Sequence, residues 1–355
     1  MKKLSGELVN SLLNILKDPN YNTDDFTPVE LAHLYTKSAL LITVMGFVKE
    51  QLWLQGQEDK RLDEVTSYRE FMTPLFSNEL TSVLYLKDFL IESGAGKIKK
   101  IIMDSKAIES QVLSQITELS TEDQKSFLVK SLLEMKSYFL TEEQNQQGQE
   151  QSDGHVGPRL YRTFDNLDDI FELNYQLDRD MKIDHHTTER LYQNAGVGVQ
   201  SGYSTILLAL HNSSPKEGST IIDLGSGYGR VGLVCSLLRP DINFVGYEYV
   251  PHRVDVSNNA CESLELQESL SFEVQDLSLA SFDIPEADIY YLYDPFTEET
   301  YHYVLKQIVE MTKKKKITVV TKGNANTWLT EIANENQWPA PLIIDEGNLC
   351  IFRSR

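Results

Sequence analysis

Three alternating glycines in the second half of the chain constrain its fold more than any other feature. Gly225, Gly227 and Gly229 stand between two apolar runs, 220–222 and 231–234. This order predicts a buried strand, a tight turn and a helix. Because glycine has no Cβ atom, the turn lets the backbone pass close to a bulky ligand. The free N–H groups of the following helix point to the same space, so we expect a nucleotide-like cofactor there.

Strand and helix signals alternate from this turn to the end of the chain, which predicts a doubly wound α/β fold. The two final strands flank Gly347, a pattern typical of an antiparallel hairpin, so the sheet is expected to be mixed. The predicted strands are 219–224, 243–248, 270–274, 288–293, 317–321, 341–345 and 349–352. The helices between them are predicted at 229–238, 252–264, 297–312 and 325–336.

The first part of the chain has a different pattern. Apolar residues at helical spacing and helix-start signals at Thr27 and Ser120 predict an all-α helical bundle domain over residues 1–140. Residues 141–158 have no aliphatic side chain before Val156 and are predicted to form a polar linker. The α/β domain is then predicted over residues 159–355, beginning with a helical lead-in.

Acidic residues at strand ends narrow the choice of cofactor. Glu248 ends the strand that follows the glycine turn, about 20 residues past the glycines, where a carboxylate receives the two hydroxyls of a ribose. Asp276 follows the third strand and can accept a hydrogen bond from an exocyclic amine. Asp223 directly precedes the glycines, where its charge would repel a pyrophosphate and suits the ammonium group of an amino acid. A nicotinamide dinucleotide is therefore disfavoured.

Together these residues resemble the motifs of class I S-adenosylmethionine-dependent methyltransferases, over roughly residues 190–355. The resemblance implies a Rossmann-like mixed seven-strand sheet and S-adenosyl-L-methionine as the cofactor. It assigns the methionine part to Asp223 and the 225–229 backbone, which includes Ser226. It assigns the ribose to Glu248 and the adenine to Asp276.

Two further parts of the cofactor site are expected from the same resemblance. Tyr249, next to the ribose acid, could pack on the adenine face. The segment that contains Gln200 and Tyr203 is expected to fold over the cofactor carboxylate, with neighbouring glycines as hinges.

The reacting end of the site is expected where the fourth strand ends in Asp294, Pro295 and Phe296. This triplet is similar to the Asn/Asp-Pro-Pro-Tyr/Phe quartet of enzymes that methylate amino groups of nucleic acids, but it lacks the second proline. Our hypothesis is that Asp294 orients an acceptor amine and that Phe296 packs on the acceptor. The alternative is a strand-ending turn that only shapes the loop.

A looser resemblance concerns the acceptor. The glycine turn with Arg230, the strand that ends in Glu248 and the tyrosine-rich fourth strand are similar to seven-strand protein lysine methyltransferases, including the non-SET histone enzymes. This resemblance implies an amine acceptor, with a protein lysine as one candidate.

Charge bears on the same choice. The formal net charge is −20, and both halves of the chain are acidic. A field of this sign repels phosphate backbones, so nucleic acid is a disfavoured partner. It attracts basic proteins, so a protein is the favoured acceptor. The basic run 313–316 is interpreted as a solvated loop.

Composition also favours a cytoplasmic enzyme without a metal or a membrane anchor. Three cysteines without CxxC spacing make a disulfide framework or zinc site unlikely. The pair His185 and His186 has no third ligand nearby in the sequence. The apolar stretch 39–48 is too short to cross a bilayer, which needs about 20 residues, and it is interpreted as a buried helix. Because that stretch lies inside the chain, no signal peptide is expected.

Other functions remain open from the sequence. The methyl acceptor could be a small molecule or a nucleic acid. The second class of function is a binding or regulatory protein, in which the cofactor fold is non-catalytic and the helical domain recruits a partner. The intact glycine turn and the acids around it argue against a decayed site.

Overall fold

The structure is a computed structural model that describes residues 23–147, 157–181, 196–293, 296–323 and 325–355, together with Leu12 and Leu16. The chain divides into two compact units, Met1–Leu167 and Asp168–Arg355. The first unit is helical, and the second contains the sheet.

The first unit is built around one long helix. This helix, α1, begins at a capping box in which Thr27 and Glu30 bond each other's backbone N–H groups. Among the described residues it is followed by four shorter helices, with 3₁₀ segments at Thr81–Leu86 and Ala95–Lys97 between them. The helices are α1 Pro28–Leu62, α2 Tyr68–Asn78, α3 Lys87–Ser93, α4 Ile98–Thr117 and α5 Thr121–Gln147.

Helix α1 is the core helix of this unit. By length and composition alone it could cross a membrane, yet 67% of its most apolar stretch is buried inside the protein. The apolar stretch 39–48 supplies much of that buried face, including Leu41, Val44 and Val48. Helix α1 packs against α4 and α5, as predicted for a buried helix.

The end of the first unit differs from the sequence prediction. Helix α5 continues to Gln147, so residues 141–147 are helical rather than linker. Beyond the predicted linker, Leu160 and Phe164 are buried in the first unit. The Tyr35 hydroxyl donates to the carbonyl of Phe164 at 3.1 Å, and Phe139 packs edge-on against the same ring. The first unit therefore ends at Leu167 because these apolar residues complete its core.

The second unit has a seven-stranded sheet in the order β3-β2-β1-β4-β5-β7-β6. Strands β1 to β5 are parallel, and β7 runs antiparallel to both β5 and β6. The strands are β1 Thr220–Leu224, β2 Asn243–Glu248, β3 Leu270–Val274, β4 Ile289–Tyr293, β5 Thr318–Lys322, β6 Leu342–Ile344 and β7 Leu349–Arg353. The predicted fold class, a mixed seven-strand sheet with a C-terminal hairpin, is confirmed.

Helices cover this sheet and begin beside its carboxyl edge. Helix α8 follows the glycine turn and α9 follows the end of β2, so the first turns of both lie at that edge. The helices of this unit are α6 Leu177–Asp180, α7 Tyr203–Ser213, α8 Arg230–Leu238, α9 Pro251–Ser263, α10 Glu298–Thr312 and α11 Ala325–Glu335. All three cysteines are free and buried.

Helix α8 packs unusually close to the sheet. A Cβ atom on Gly232, in the first turn of α8, would lie 2.8 Å from side-chain atoms of both Leu270 and Phe244. These residues belong to β3 and β2. The close contact fixes how far the first turn of α8 lies from the strands.

We predict that Gly232→Ala destabilises the protein by about 1–3 kcal/mol, because the added methyl group overpacks the helix–sheet contact. The matched control is Gly46→Ala in α1, an exposed helical glycine with nothing within 4 Å of the added Cβ. The control should be stabilised by up to about 1 kcal/mol from helix propensity alone. Urea unfolding measures both, and equal effects of the two substitutions would contradict the close-packing explanation.

Candidate cofactor site

The glycine turn leaves β1 with three residues in the left-handed region. Gly225, Gly227 and Gly229 have φ of 97°, 57° and 78°, which other residues rarely adopt. The backbone N–H groups of Gly225 and Ser226 both donate to the carbonyl of Tyr247, at 2.9 and 2.8 Å. The turn is therefore tied to the end of β2.

Glu248, the last residue of β2, holds the other side of the turn. One carboxylate oxygen accepts from the N–H of Gly227 at 2.9 Å, and the other accepts from the N–H of Val250 at 3.0 Å. The Arg253 guanidinium lies 3.6 Å from the second oxygen. Burial raises the pKa of Glu248 above its usual value, and Arg253 opposes this rise. Each oxygen retains capacity to accept a further hydrogen bond, such as one from a hydroxyl.

Asp223, at the end of β1, is the second acid of the site. It is 2% exposed, and burial together with the charge of Glu248 raises its pKa well above the usual value. Among the described residues, no hydrogen bond or ion pair to its carboxylate is found. A buried, unpaired carboxylate is costly, so this position favours a bound cation.

Two polar side chains at the turn also lack partners within the described part of the chain. They are the Gln200 amide nitrogen and the Ser226 hydroxyl, both buried. The amide nitrogen lies 2.8 Å from where a Cβ on Gly227 would be. Buried polar groups in native proteins are nearly always hydrogen-bonded, so these two unpaired groups make the turn a candidate ligand site.

Tyr203 lies in the same segment as Gln200 but turns inward. Its hydroxyl donates to Asp168 at 2.7 Å, and one ring face packs on Phe171. The Arg230 guanidinium lies 4.8 Å from the ring centroid. The Tyr203 hydroxyl therefore already has a hydrogen-bond partner within the protein. A contact between Tyr203 and a cofactor stays a prediction.

The adenine side of the predicted site lies beyond Glu248. Tyr249 is half-buried. The half-buried Asp276 accepts from the backbone N–H and hydroxyl of Ser278 through one carboxylate oxygen, at 2.9 and 2.6 Å. The N–H of Gln275 donates to the carbonyl of Glu248 at 2.9 Å. This bond places the segment before Asp276 directly beside the end of β2, as an adenine contact requires.

The predicted reacting end is only partly described. Asp294 and Pro295 lie outside the described residues. Phe296 is 5% exposed and packs edge-on against Tyr301 at a centroid distance of 5.2 Å. Its ring belongs to the core beneath α10, and its predicted contact with an acceptor is untested.

Sequence reasoning missed a buried cation near this end. Lys322 ends β5 directly beside Tyr293 of β4. Its ammonium lies 4.9 Å from the Tyr293 ring centroid and donates to the Thr205 hydroxyl at 3.1 Å. A lysine at the end of a parallel strand was the only available signal.

Sequence reasoning also missed two buried aspartates in the lead-in segment. Asp168 pairs with Arg230, and Asp178 pairs with Arg253 and with His252. Both arginines lie in the first turns of helices that border the glycine turn. The aspartates are distant from these arginines in sequence, so spacing alone could not reveal the pairs.

Metal ligation finds no support in the described part of the chain. No group of three or more His, Cys, Asp or Glu side chains there could hold a metal ion. His185 and His186 lie outside the described residues. The basic run 313–316 is largely paired: Lys313, Lys314 and Lys315 each bond a nearby carboxylate.

No family model and no curated protein matches the sequence, but solved structures do. A precorrin-6y C5,15-methyltransferase from Geobacter metallireducens GS-15 matches with a TM-score of 0.35 and 12% identity, over 44% of this chain and 90% of that chain. An RNA methyltransferase from Salinibacter ruber, in complex with S-adenosyl-L-homocysteine, matches with a TM-score of 0.34 and 19% identity, over 44% of this chain and 92% of that chain.

A TehB-like SAM-dependent methyltransferase from Corynebacterium glutamicum ATCC 13032 Kitasato matches with a TM-score of 0.32 and 15% identity, over 41% of this chain and 85% of that chain. Likenesses of this size carry no conclusion about substrate. The seven-stranded order, the antiparallel β7 and the glycine turn after β1 decide the fold by themselves. The second unit has a Rossmann-like α/β fold with a mixed seven-stranded sheet.

The raised pKa of Asp223 leads to a pH-dependent prediction. Because the folded protein favours the protonated carboxyl, the stability that Asp223 contributes is present below its unfolded pKa of about 3.9 and is lost as the pH rises through the folded pKa. Asp223→Asn should therefore raise the melting temperature at neutral pH by about 2–4 °C, equivalent to roughly 1 kcal/mol. This advantage should shrink towards about pH 4.

Thermal melting across this pH range, without ligand, checks the prediction. The matched control is Asp241→Asn, since Arg239 lowers the pKa of this exposed acid. That variant should lose a little stability at neutral pH. An Asp223→Asn variant less stable than the parent at every pH would contradict the assignment of an unpaired buried charge.

Proposed function

We propose that the protein transfers a methyl group from S-adenosyl-L-methionine to an acceptor. One observation carries the proposal: the unpaired Gln200 amide lies against Gly227 of a glycine turn that also carries the unpaired Ser226 hydroxyl and that follows the unpaired carboxylate of Asp223. A ligand that fits must carry a cationic group for Asp223 and hydrogen-bonding groups for its neighbours. The amino-acid end of S-adenosyl-L-methionine has both.

The remaining contacts follow from the geometry of the acids. Asp223 would hold the cofactor ammonium, and the turn of 225–229 would lie along the methionine part. Glu248 would accept the ribose hydroxyls with the lone pairs that Gly227 and Val250 leave available. Asp276 and Tyr249 would hold the adenine edge and face.

The residues also argue against a dinucleotide. A pyrophosphate at this turn would stand next to two buried carboxylates, Asp223 and Glu248, and would be repelled. The bound cofactor supplies a methyl group on a sulfonium, which is already an excellent leaving group. The protein's part is to align the acceptor and to exclude water.

We propose an amine acceptor, with a protein lysine favoured. The support is the net charge of −20, which attracts basic proteins and repels nucleic acids. An amine must be neutral when it attacks. Asp294 is proposed to orient it and to stabilise the cation that forms. A small-molecule acceptor is the alternative within this chemistry. For either acceptor we propose a cytoplasmic location, which the low cysteine content supports.

A non-catalytic protein that binds a partner through its helical unit is the second candidate. The specific observation against it is the set of buried, costly groups at the turn. Asp223, Gln200 and Ser226 would have no reason to stay unpartnered in a fold that no longer binds a ligand.

Cofactor binding is tested with S-adenosyl-L-homocysteine by calorimetry. We predict binding by the parent protein, and Glu248→Gln should weaken it at least about tenfold, since tenfold corresponds to about 1.4 kcal/mol. The amide keeps the size of the side chain but replaces one acceptor with a donor. The matched control is Glu273→Gln, an exposed acid on β3, which should bind as the parent does. No binding at millimolar ligand would refute the proposal.

The acceptor is tested with methyl-labelled cofactor and a cell lysate separated into protein, nucleic acid and small-molecule fractions. We predict label in the protein fraction, at lysine. Asp294→Ala should lower transfer by about 10²-fold or more while S-adenosyl-L-homocysteine still binds normally. Label in another fraction would refute the acceptor, and undiminished transfer by the variant would refute the role of Asp294.

A further inference from the structure

Arg230 is the first residue of α8, directly after the glycine turn, and it is completely buried. One guanidinium nitrogen donates to the backbone carbonyl of Ser201 at 3.1 Å. Another donates to the carboxylate of Asp168. One side chain therefore joins the start of α8 to two separate segments of the second unit.

The Asp168 carboxylate, together with its three hydrogen-bond donors, forms a buried cluster around Arg230. Besides Arg230, its carboxylate accepts from the hydroxyl of Tyr175 at 2.5 Å and from the hydroxyl of Tyr203 at 2.7 Å. Because three donors hold the Asp168 carboxylate in place, this carboxylate in turn fixes the position of the Arg230 guanidinium. Every partner in this cluster is itself buried or half-buried.

Ser201 carries this order to the cofactor site. Its carbonyl is held by Arg230, and its hydroxyl bonds the hydroxyl of Tyr291 on β4 at 2.9 Å. The next residue towards the N-terminus is Gln200, whose amide lies against Gly227 of the turn. The backbone at Ser201 thus determines where the unpartnered Gln200 amide stands.

Folding alone gives little reason for such a cluster. A buried ion pair often contributes no more stability than well-packed apolar residues of the same volume. The pair does orient its neighbours, because the planar guanidinium of Arg230 holds two acceptors at fixed positions at once. The two acceptors here are the lead-in carboxylate and the loop that carries Gln200.

We propose that Asp168 and Arg230 are positioning residues that hold the Gln200 amide over the glycine turn, and that they thereby set the affinity for the amino-acid end of the cofactor. The inference rests on the proposed function. It predicts that loss of the pair weakens ligands with an amino-acid end and spares ligands without one.

The experiment compares two ligands by calorimetry: S-adenosyl-L-homocysteine, which has the amino-acid end, and 5′-methylthioadenosine, which lacks it. In Arg230→Met the affinity for the first should fall at least about tenfold, and the affinity for the second should change less than about twofold. Gln200→Ala should show the same selective loss. Combining it with Arg230→Met should add little, because both changes remove one coupled effect.

Two further variants keep the result interpretable. Arg230→Met leaves Asp168 buried without its cation, so Asp168→Asn/Arg230→Met removes both charges and retains an oxygen for Tyr203. This double variant should unfold with a melting temperature near that of the parent and show the same ligand selectivity. Arg239→Met is the matched control at the other end of α8, where the arginine pairs with Asp241, and it should bind both ligands normally.

Each outcome separates the inference from the proposed function. If the parent binds neither ligand, the proposed cofactor is wrong. If the parent binds both but the double variant loses both equally, the pair only supports the fold, and the positioning role is refuted. Unchanged affinity for both ligands refutes it as well.

Discussion

The hydrogen bond from the Gly227 N–H to the Glu248 carboxylate is the interaction on which the rest of the site depends. It joins the turn after β1 to the end of β2, so two neighbouring strands act as one support. The same carboxylate accepts from Val250 and faces Arg253, which places the first turn of α9. The fixed turn in turn sets where α8 begins, and with it Arg230. A carboxylate that a ligand would share is thus already part of the fold, which prepares the site before anything binds.

The site concentrates groups that would be unfavourable elsewhere. Asp223 is a buried carboxylate with a raised pKa, Glu248 is a second one nearby, and the Gln200 amide has no partner among the described residues. The two nearby arginines, Arg230 and Arg253, are paired with aspartates of the lead-in segment, and Arg253 also lies 3.6 Å from Glu248. The Asp223 carboxylate therefore has no cationic partner among the described residues. This combination of local cost and surrounding order is typical of a binding site that gives up stability for affinity.

Strand positions were predicted to within a residue or two because buried parallel strands are short apolar runs bounded by turn residues. The edge strand β6 was the least accurate: it covers only Leu342–Ile344 of the predicted 341–345. The end of the helical unit was misplaced, since a polar sequence such as 141–147 continues a helix when the preceding turns are held by packing. Residues 160–167 belong to the first unit for a different reason: their apolar side chains, including Leu160 and Phe164, are buried in its core. The site acids were found from their spacing, whereas Asp168 and Asp178 were not, because neither has a characteristic position relative to its arginine.

By itself, the sequence determined the α/β class, the glycine turn and the presence of acids at the ends of β1 and β2. These features depend on local periodicity and on the special conformations of glycine, which a chain carries wherever it folds. Only the tertiary structure decided which of these groups are paired. Tyr203 turned out to bond Asp168, Arg230 to bridge two segments, and Asp223 to remain unpaired among the described residues. Pairing depends on contacts between residues far apart in the chain, such as Asp168 and Arg230 at 62 positions and Asp178 and Arg253 at 75, and burial then decides what each unpaired charge costs.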